Sequence, residues 1–229
     1  MRRTHRPASP RSNRSVYYPV VDVRPDARER LLDTADRLMW ERGYEAVGVA
    51  ELCSEAGAPR GSFYYWWPSK HALALAMIER SWERTKVALF EPTFGRDASF
   101  GEQLDDYVER LVARLECSKE ASSSVPGCRF GNLAAELSTR DADVRHAIDA
   151  VFADMQRFFA DAITKSIASG ELSAEIDPAD AAEALCAHME GLMILAKARN
   201  EPAIIRRLSV DGRRLAGARA DGPTYSQHR

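Results

Sequence analysis

The sequence predicts an all-α protein of about nine helices, with a small three-helix N-terminal unit joined to a larger helical body. Three observations carry this prediction. Apolar residues recur at helical spacing along most of the chain. Helix-start signals stand at Ser69, at Ser99 with Glu102, at Asp141 and at Asp177-Pro178, and stop signals at Gly43, Gly57 and Gly170. Neither an apolar/polar alternation of strand length nor an internal repeat is present in the sequence.

Residues 1–22 carry Arg2, Arg3, Arg6, Arg11 and Arg14 among prolines and serines, with few core formers, and read as a flexible basic arm. That arm is either an inert tail or a polyanion contact. From Asp26 a first helix places Leu31, Ala35, Leu38 and Met39 on one face and stops at Gly43. Val49, Leu52, Cys53 and Ala56 form a second, short amphipathic helix closed by Gly57, where glycine admits the left-handed turn. Pro59 suits the start of a third helix. Pro68 limits it to about two turns, since it disfavours helical geometry at Trp67.

Ser69 caps a fourth helix with the stripe Leu75, Ile78, Trp82 and Leu89, and Pro92–Ala98 is expected to break it as a hinge. Ser99 and Glu102 form a capping box opening a helix to about Cys117. A polar loop, 118–127, leads to a short helix from about Phe130 to Ser138. Asp141 caps a long helix to about Ser169 whose wide apolar face suits a central position. Asp177-Pro178 opens another helix to about Arg199, and Asn200-Glu201-Pro202 separates it from a last one ending near Leu215. Residues 218–229 read as a disordered tail.

Composition narrows the function. At 229 residues, 45% apolar and 29% charged, the chain can bury a core. No apolar run approaches the roughly 20 residues that span a bilayer. Val16–Val21 is too short for the apolar region of a signal peptide, so a cytoplasmic location is the default expectation. Cys53, Cys117, Cys128 and Cys186 are scattered without a CxxC pair, which indicates neither a disulfide framework nor a metal site. The net charge of −2 conceals an asymmetry: residues 1–86 hold 15 Lys/Arg against 11 Asp/Glu, and residues 87–229 hold 17 against 23. A basic head on an acidic body suits a polyanion-binding unit.

The ordered run Gly43-Tyr44-Glu45-Ala46, Val49 to Gly57, Gly61-Ser62-Phe63-Tyr64 and Pro68-Ser69-Lys70-His71-Ala72-Leu73 resembles the N-terminal domain of the TetR (tetracycline-repressor) family. The resemblance covers about 50 residues; the body from about Thr85 is similar only in helix number, length and order. It implies a helix-turn-helix DNA-binding domain over residues 23–71 and a ligand-binding and dimerisation domain over residues 72–217. It further implies a homodimeric repressor that leaves its operator when a small-molecule inducer binds, with no cofactor, no metal and no membrane partner. Carried onto this chain, Arg60, Gly61, Ser62, Tyr64, Tyr65 and Trp66 are the DNA-facing residues, with Lys70 on a phosphate. Trp66 divides evenly between DNA contact and packing.

The residue chemistry agrees with that assignment. Arg60 can fork onto guanine O6 and N7, Gly61 keeps the helix face slim, and tyrosine hydroxyls suit phosphates and sugars. Phe63 and Trp67 fall at core positions. Two departures matter: Trp66 stands where the family commonly has His, Tyr or Phe, which bears on base preference, and Val47-Gly48 stand where it often has Thr followed by Ser or Thr. Gly48 can still cap the second helix, but the side-chain phosphate contact is lost, leaving backbone N–H groups, Arg42 or the arm to replace it.

In the body, the resemblance implies dimerisation through the last two long helices. The small residues Ala181, Ala184, Ala187 and Gly191 allow close helix approach. The expected cavity takes Phe90, Tyr107, Cys128, Phe130, Phe152, Phe159, His188 and Met189 as candidate lining; the same residues can equally be plain core. Cys128, at a loop-to-helix junction beside Arg129, is either a packing residue or a thiol made acidic enough to sense oxidants and electrophiles. A helical enzyme finds no support, because no HExxH, GxSxG, phosphate loop or ExxH spacing occurs. A sequence-nonspecific DNA-compacting protein is disfavoured by the acidic body.

Overall fold

The computed structural model describes residues 26–215, so the arm and the tail lie outside the described residues. The head consists of α1 (Ala27–Arg42), α2 (Val49–Glu55) and α3 (Arg60–Trp66), with α4 (Lys70–Thr85) packed along α1. The side chain of Asp26 caps α1 by accepting from the Glu29 N–H. Leu31, Leu32, Val47, Leu52, Phe63 and Leu73 close a core between these helices. Gly57 takes φ +56° in the turn between α2 and α3, a conformation costly for any residue with a Cβ. At Trp67 the chain is extended (φ −134°, ψ 126°), as the following proline requires.

The break expected at Pro92 is not there. α4 runs on through a π-helical stretch, Lys86–Phe90, into α5 (Glu91–Phe94), and the chain leaves the helix only at Gly95. Proline removes one N–H and crowds the carbonyl four residues back. The wider π turns immediately before it relieve that crowding. Burial of Leu89, Phe90 and Phe94 then holds the extension in place.

The body comprises α6 (Phe100–Ser122), α7 (Arg129–Leu137), α8 (Ala142–Ala168), α9 (Pro178–Arg199), α10 (Ala203–Leu208) and α11 (Val210–Leu215). With α4–α5 taken as one run and α10–α11, parted only by the turn at Ser209, as another, the described residues form nine helical bodies and no strand. α6 outlasts its expected end at Cys117 by more than a turn; the Ser118 and Ser122 hydroxyls donate to carbonyls four residues back, and Ser123 closes the helix in the left-handed region. α8 and α9 pack along each other as the centre of the body, and α4 also reaches α8.

The capping box at the start of α6 is complete. Ser99 Oγ accepts from the Glu102 N–H at 3.2 Å, and the Glu102 carboxylate accepts from the Ser99 N–H at 3.0 Å. Replacing Ser99 by Ala should cost about 1 kcal/mol. Because the two bonds support each other, the Ser99→Ala/Glu102→Ala double variant should lose less than the sum of the single losses, as measured by urea denaturation; strict additivity would refute the reciprocity.

Candidate nucleic-acid interface and body cavity

The outer face of the head is aromatic and open. Tyr65 is 77% exposed, Tyr64 53% and Trp66 44%. Phe63 and Trp67 of the same segment are buried, so the helix divides into an inner anchor and an outer face as its periodicity requires. Tyr64 stands edge-on to Phe63, and Tyr65 edge-on to Trp66. Arg60 and Gly61 are exposed on this face and Ser62 is partly so. Among the described residues the Arg60 guanidinium forms no hydrogen bond or ion pair. Gly48 caps α2 through extended backbone, with no side-chain bond. Val47 before it is fully buried, which accounts for an apolar residue at that place. Arg42 is bound by Glu51 and by the Ala46 carbonyl.

Lys70 is not turned outward. Its Nζ donates to the carbonyls of Tyr44 and Val47, both at 3.1 Å, and lies 3.9 Å from the centre of the Tyr44 ring. A cation at the start of α4 meets free N–H groups, which repel it, whereas the α1–α2 loop offers two carbonyls, that of Tyr44 also accepting from the Val47 N–H. The lysine therefore braces that loop.

Inside the body a cavity of about 60 Å³ opens between α4, α6, α7 and α9 and reaches α1 of the head. Of the candidate lining residues, Phe90, Tyr107, Cys128, Phe130 and Met189 border it. Phe152, Phe159 and His188 do not. Phe159 is consumed by an aromatic cluster with Phe90, Phe94 and Tyr107. Phe152 packs on the outside of the core, and His188 meets the Leu208 carbonyl at 3.2 Å. Trp40, Arg114, Arg129, Met155, Glu190 and Met193 complete much of the wall.

The head and the cavity share side chains. Trp40 of α1 donates its indole N–H to the Gly127 carbonyl at 2.8 Å. Arg129, the first residue of α7, lies over the Trp40 ring at 4.3 Å and pairs with Asp36 of α1, which also accepts from Ser81. Near the other end of α7 the Glu136 carboxylate accepts from the N–H groups of Tyr44 and Glu45, both at 2.8 Å. α7 thus grips α1 and the loop after it at two points one helix-length apart.

Comparison with known proteins identifies the architecture. Residues 31–77 match the family described as bacterial regulatory proteins, tetR family, and residues 102–209 match the tetracyclin repressor-like C-terminal domain. The transcriptional regulator AcuR of Cereibacter sphaeroides is 30% identical over 204 residues, covering 86% of each chain. The chain belongs to the TetR family. The transcriptional repressor NemR of Escherichia coli is 31% identical over 124 residues, 54% of this chain and 60% of that protein. The crystal structure of E. coli NemR in its reduced form superposes with a TM-score of 0.73 at 25% identity, covering 85% of this chain and all of that one. A regulatory protein TetR from Rhodobacter sphaeroides gives the same TM-score at 28% identity, over 82% and 98% of the two chains. This TetR-family protein is accordingly a DNA-binding transcriptional regulator and not an enzyme, and no helix among the described residues is long and apolar enough to cross a membrane.

Of the two readings of Cys128, a packing residue or a thiol made acidic by the helix start, its electrostatics favour the first. It caps α7, with Sγ accepting from the Gly131 N–H at 3.4 Å. Burial and the facing Glu190 carboxylate nevertheless push the thiol well above its ordinary range, and Arg129 is spent on Asp36. Burial also raises Glu190, partly offset by its hydrogen bond to Cys128. Gly131 makes this contact possible, since a Cβ there would come within 2.5 Å of Glu190 Oε2. Tyr107 is likewise pushed up, by burial and then by Glu190.

Cys128 should therefore alkylate at neutral pH more slowly than the exposed Cys117, a ratio readable by mass spectrometry; faster labelling of Cys128 would contradict its environment. Glu190 supplies a second test. A carboxyl raised in the fold keeps its proton there above the ordinary glutamate value of about 4.3, so it weakens the fold progressively as pH climbs past that value. Glu190→Gln should leave stability near pH 4 unchanged and raise it as pH climbs past the ordinary glutamate value, the gain levelling off once the buried carboxyl has ionised, as followed by thermal melting.

Proposed function

We propose that the protein is a homodimeric repressor that binds a palindromic operator through α3 and releases it when a small molecule enters the body cavity. The observation that carries this reading is the shared wall: Trp40 and Arg129 line the cavity and at the same time tie α7 to α1. A ligand that displaces Arg129 or the Gly127 carbonyl acts directly on the helix that carries the DNA-reading unit. α3 then supplies Arg60 for base edges, with Ser62, Tyr64, Tyr65 and Trp66 for phosphates, sugars and thymine methyls, while Gly61 and Gly48 allow close backbone approach. Action on DNA places the protein in the cytoplasm.

Dimerisation through α8 and α9 is supported by an uncovered stripe on α9. Ala187, Gly191, Ile194, Leu195 and Ala198 recur at helical spacing on its outer side, and Ile194 is 65% exposed. Apolar residues so placed, beside a glycine with open space above it, suit a symmetric helix-on-helix contact. Two-fold symmetry would set the two reading helices about 34–36 Å apart on DNA.

A gel shift of the purified protein on its own upstream region against random competitor tests the reading; equal affinity for both would end it. Arg60→Ala should lose about 1–3 kcal/mol of discrimination at one base pair per half-site. Ile194→Glu should shift the protein to monomer in analytical ultracentrifugation and abolish operator binding. Trp40→Phe keeps the apolar wall and removes the bond to Gly127, so operator binding should persist while the coupling to inducer falls by roughly 1 kcal/mol.

A further inference from the structure

We infer that the cavity selects a small carboxylate, held by Arg114. This rests on the reading of the cavity as the effector site and adds the chemical class of its occupant. Two guanidinium groups, Arg114 and Arg129, stand on the cavity wall; burial and then the charge of Arg129 lower the pKa of Arg114, and Asp36 is the carboxylate that offsets this. Both oxygens of Asp36 face Arg129, and one also accepts from Ser81. Arg114 is left without an ion pair or hydrogen bond among the described residues, although it is half-buried. Glu190 does not serve it: its carboxylate is turned to the Cys128 thiol and the Gly131 backbone.

An unmatched guanidinium on the wall of a mostly apolar chamber, whose other charged residues Arg129 and Glu190 are engaged elsewhere, is costly in the empty protein, and its fork is shaped for a carboxylate. The Tyr107 hydroxyl, on the same wall, offers a second donor. The chamber of about 60 Å³ admits roughly four or five water-sized atoms. Met155, Met189 and Met193 in its wall can yield to a slightly longer chain. The expected occupant is a short aliphatic or small aromatic carboxylate.

The test is isothermal titration of the full-length protein with a series of short-chain carboxylates and benzoate, each beside its primary amide. At least one carboxylate should bind about tenfold to a hundredfold more tightly than its amide. Arg114→Met should erase that preference. Because Arg114 has no partner to lose, this variant and Arg114→Gln should melt at or above the wild-type temperature, whereas a structural arginine would lower it. Amides binding as tightly as carboxylates, or a preference that survives both variants, would overturn the carboxylate assignment and leave the effector cavity standing. Failure of every probe, or binding undiminished in the cavity-filling Met155→Trp, would remove the effector reading and the inference with it.

Discussion

The fold depends on the pairing of Arg129 with Asp36 over the face of Trp40. These three side chains join the first helix of the head to the first turn of α7, and they lie between a reading surface and a chamber. A charged pair so shielded from water is expensive to separate, since removing one partner leaves the other uncompensated. The ring beneath adds cation–π attraction and excludes solvent from one side. Around this point the other bonds between the two parts fall into place. Ser81 adds a donor to Asp36, Trp82 reaches Asp154 at 2.9 Å, and Glu136 takes the exposed N–H groups that follow α1. The head is held to the body by directional polar contacts, which can exist in two discrete arrangements more readily than a sliding apolar seam can.

The two arginines of the chamber illustrate how similar residues part ways by context. Arg129 is matched in charge, stacked on a ring and committed to the joint. Arg114, one helix away, is burdened by burial and by its neighbour's charge, and both lower its affinity for a proton. The acidic side shows the same division. Asp36 is answered, while Glu190 is confronted only by a thiol and by backbone that a glycine allows near it. The chamber is therefore polarised, with an unsatisfied cation on one wall and a strained acid on another.

Local features were legible in the sequence because their causes are local. Ser69, Ser99, Asp141 and Asp177 each cap the helix they precede, and Phe63 and Trp67 are buried where their spacing puts them. Where an outcome depended on distant partners, the sequence was silent or misleading. Nothing near Trp40 announces a bond to Gly127, 87 positions away. Nothing local marks Glu190 or Arg114, whose roles arise only where α6, α7 and α9 meet around the chamber. Lys70 reads as a phosphate ligand from its position in the motif, yet the carbonyls that claim it belong to the preceding loop. Cys128 has a helix start to make it acidic, but burial, and then a carboxylate from another helix, outweigh it. Pro92 failed as a stop signal because the aromatic cluster behind it favours continuation.

The π-helical stretch at Lys86–Phe90 has a consequence for phase. An α-helix turns about 100° per residue, so one surplus residue in a widened turn rotates everything beyond it by about that angle relative to an unbroken helix. Before the bulge, Leu73 and Met77 are buried; after it, Phe90 and Phe94 join the aromatic cluster of the body, and Trp82 touches Phe90 from across the bulge. A single rod thereby serves both ends of one continuous core, and the widened turn lies at the chamber wall itself, between Thr85 and Phe90. Chain length here acts as an angular setting, so that insertion or loss of one residue in this stretch would re-aim one half of the molecule against the other.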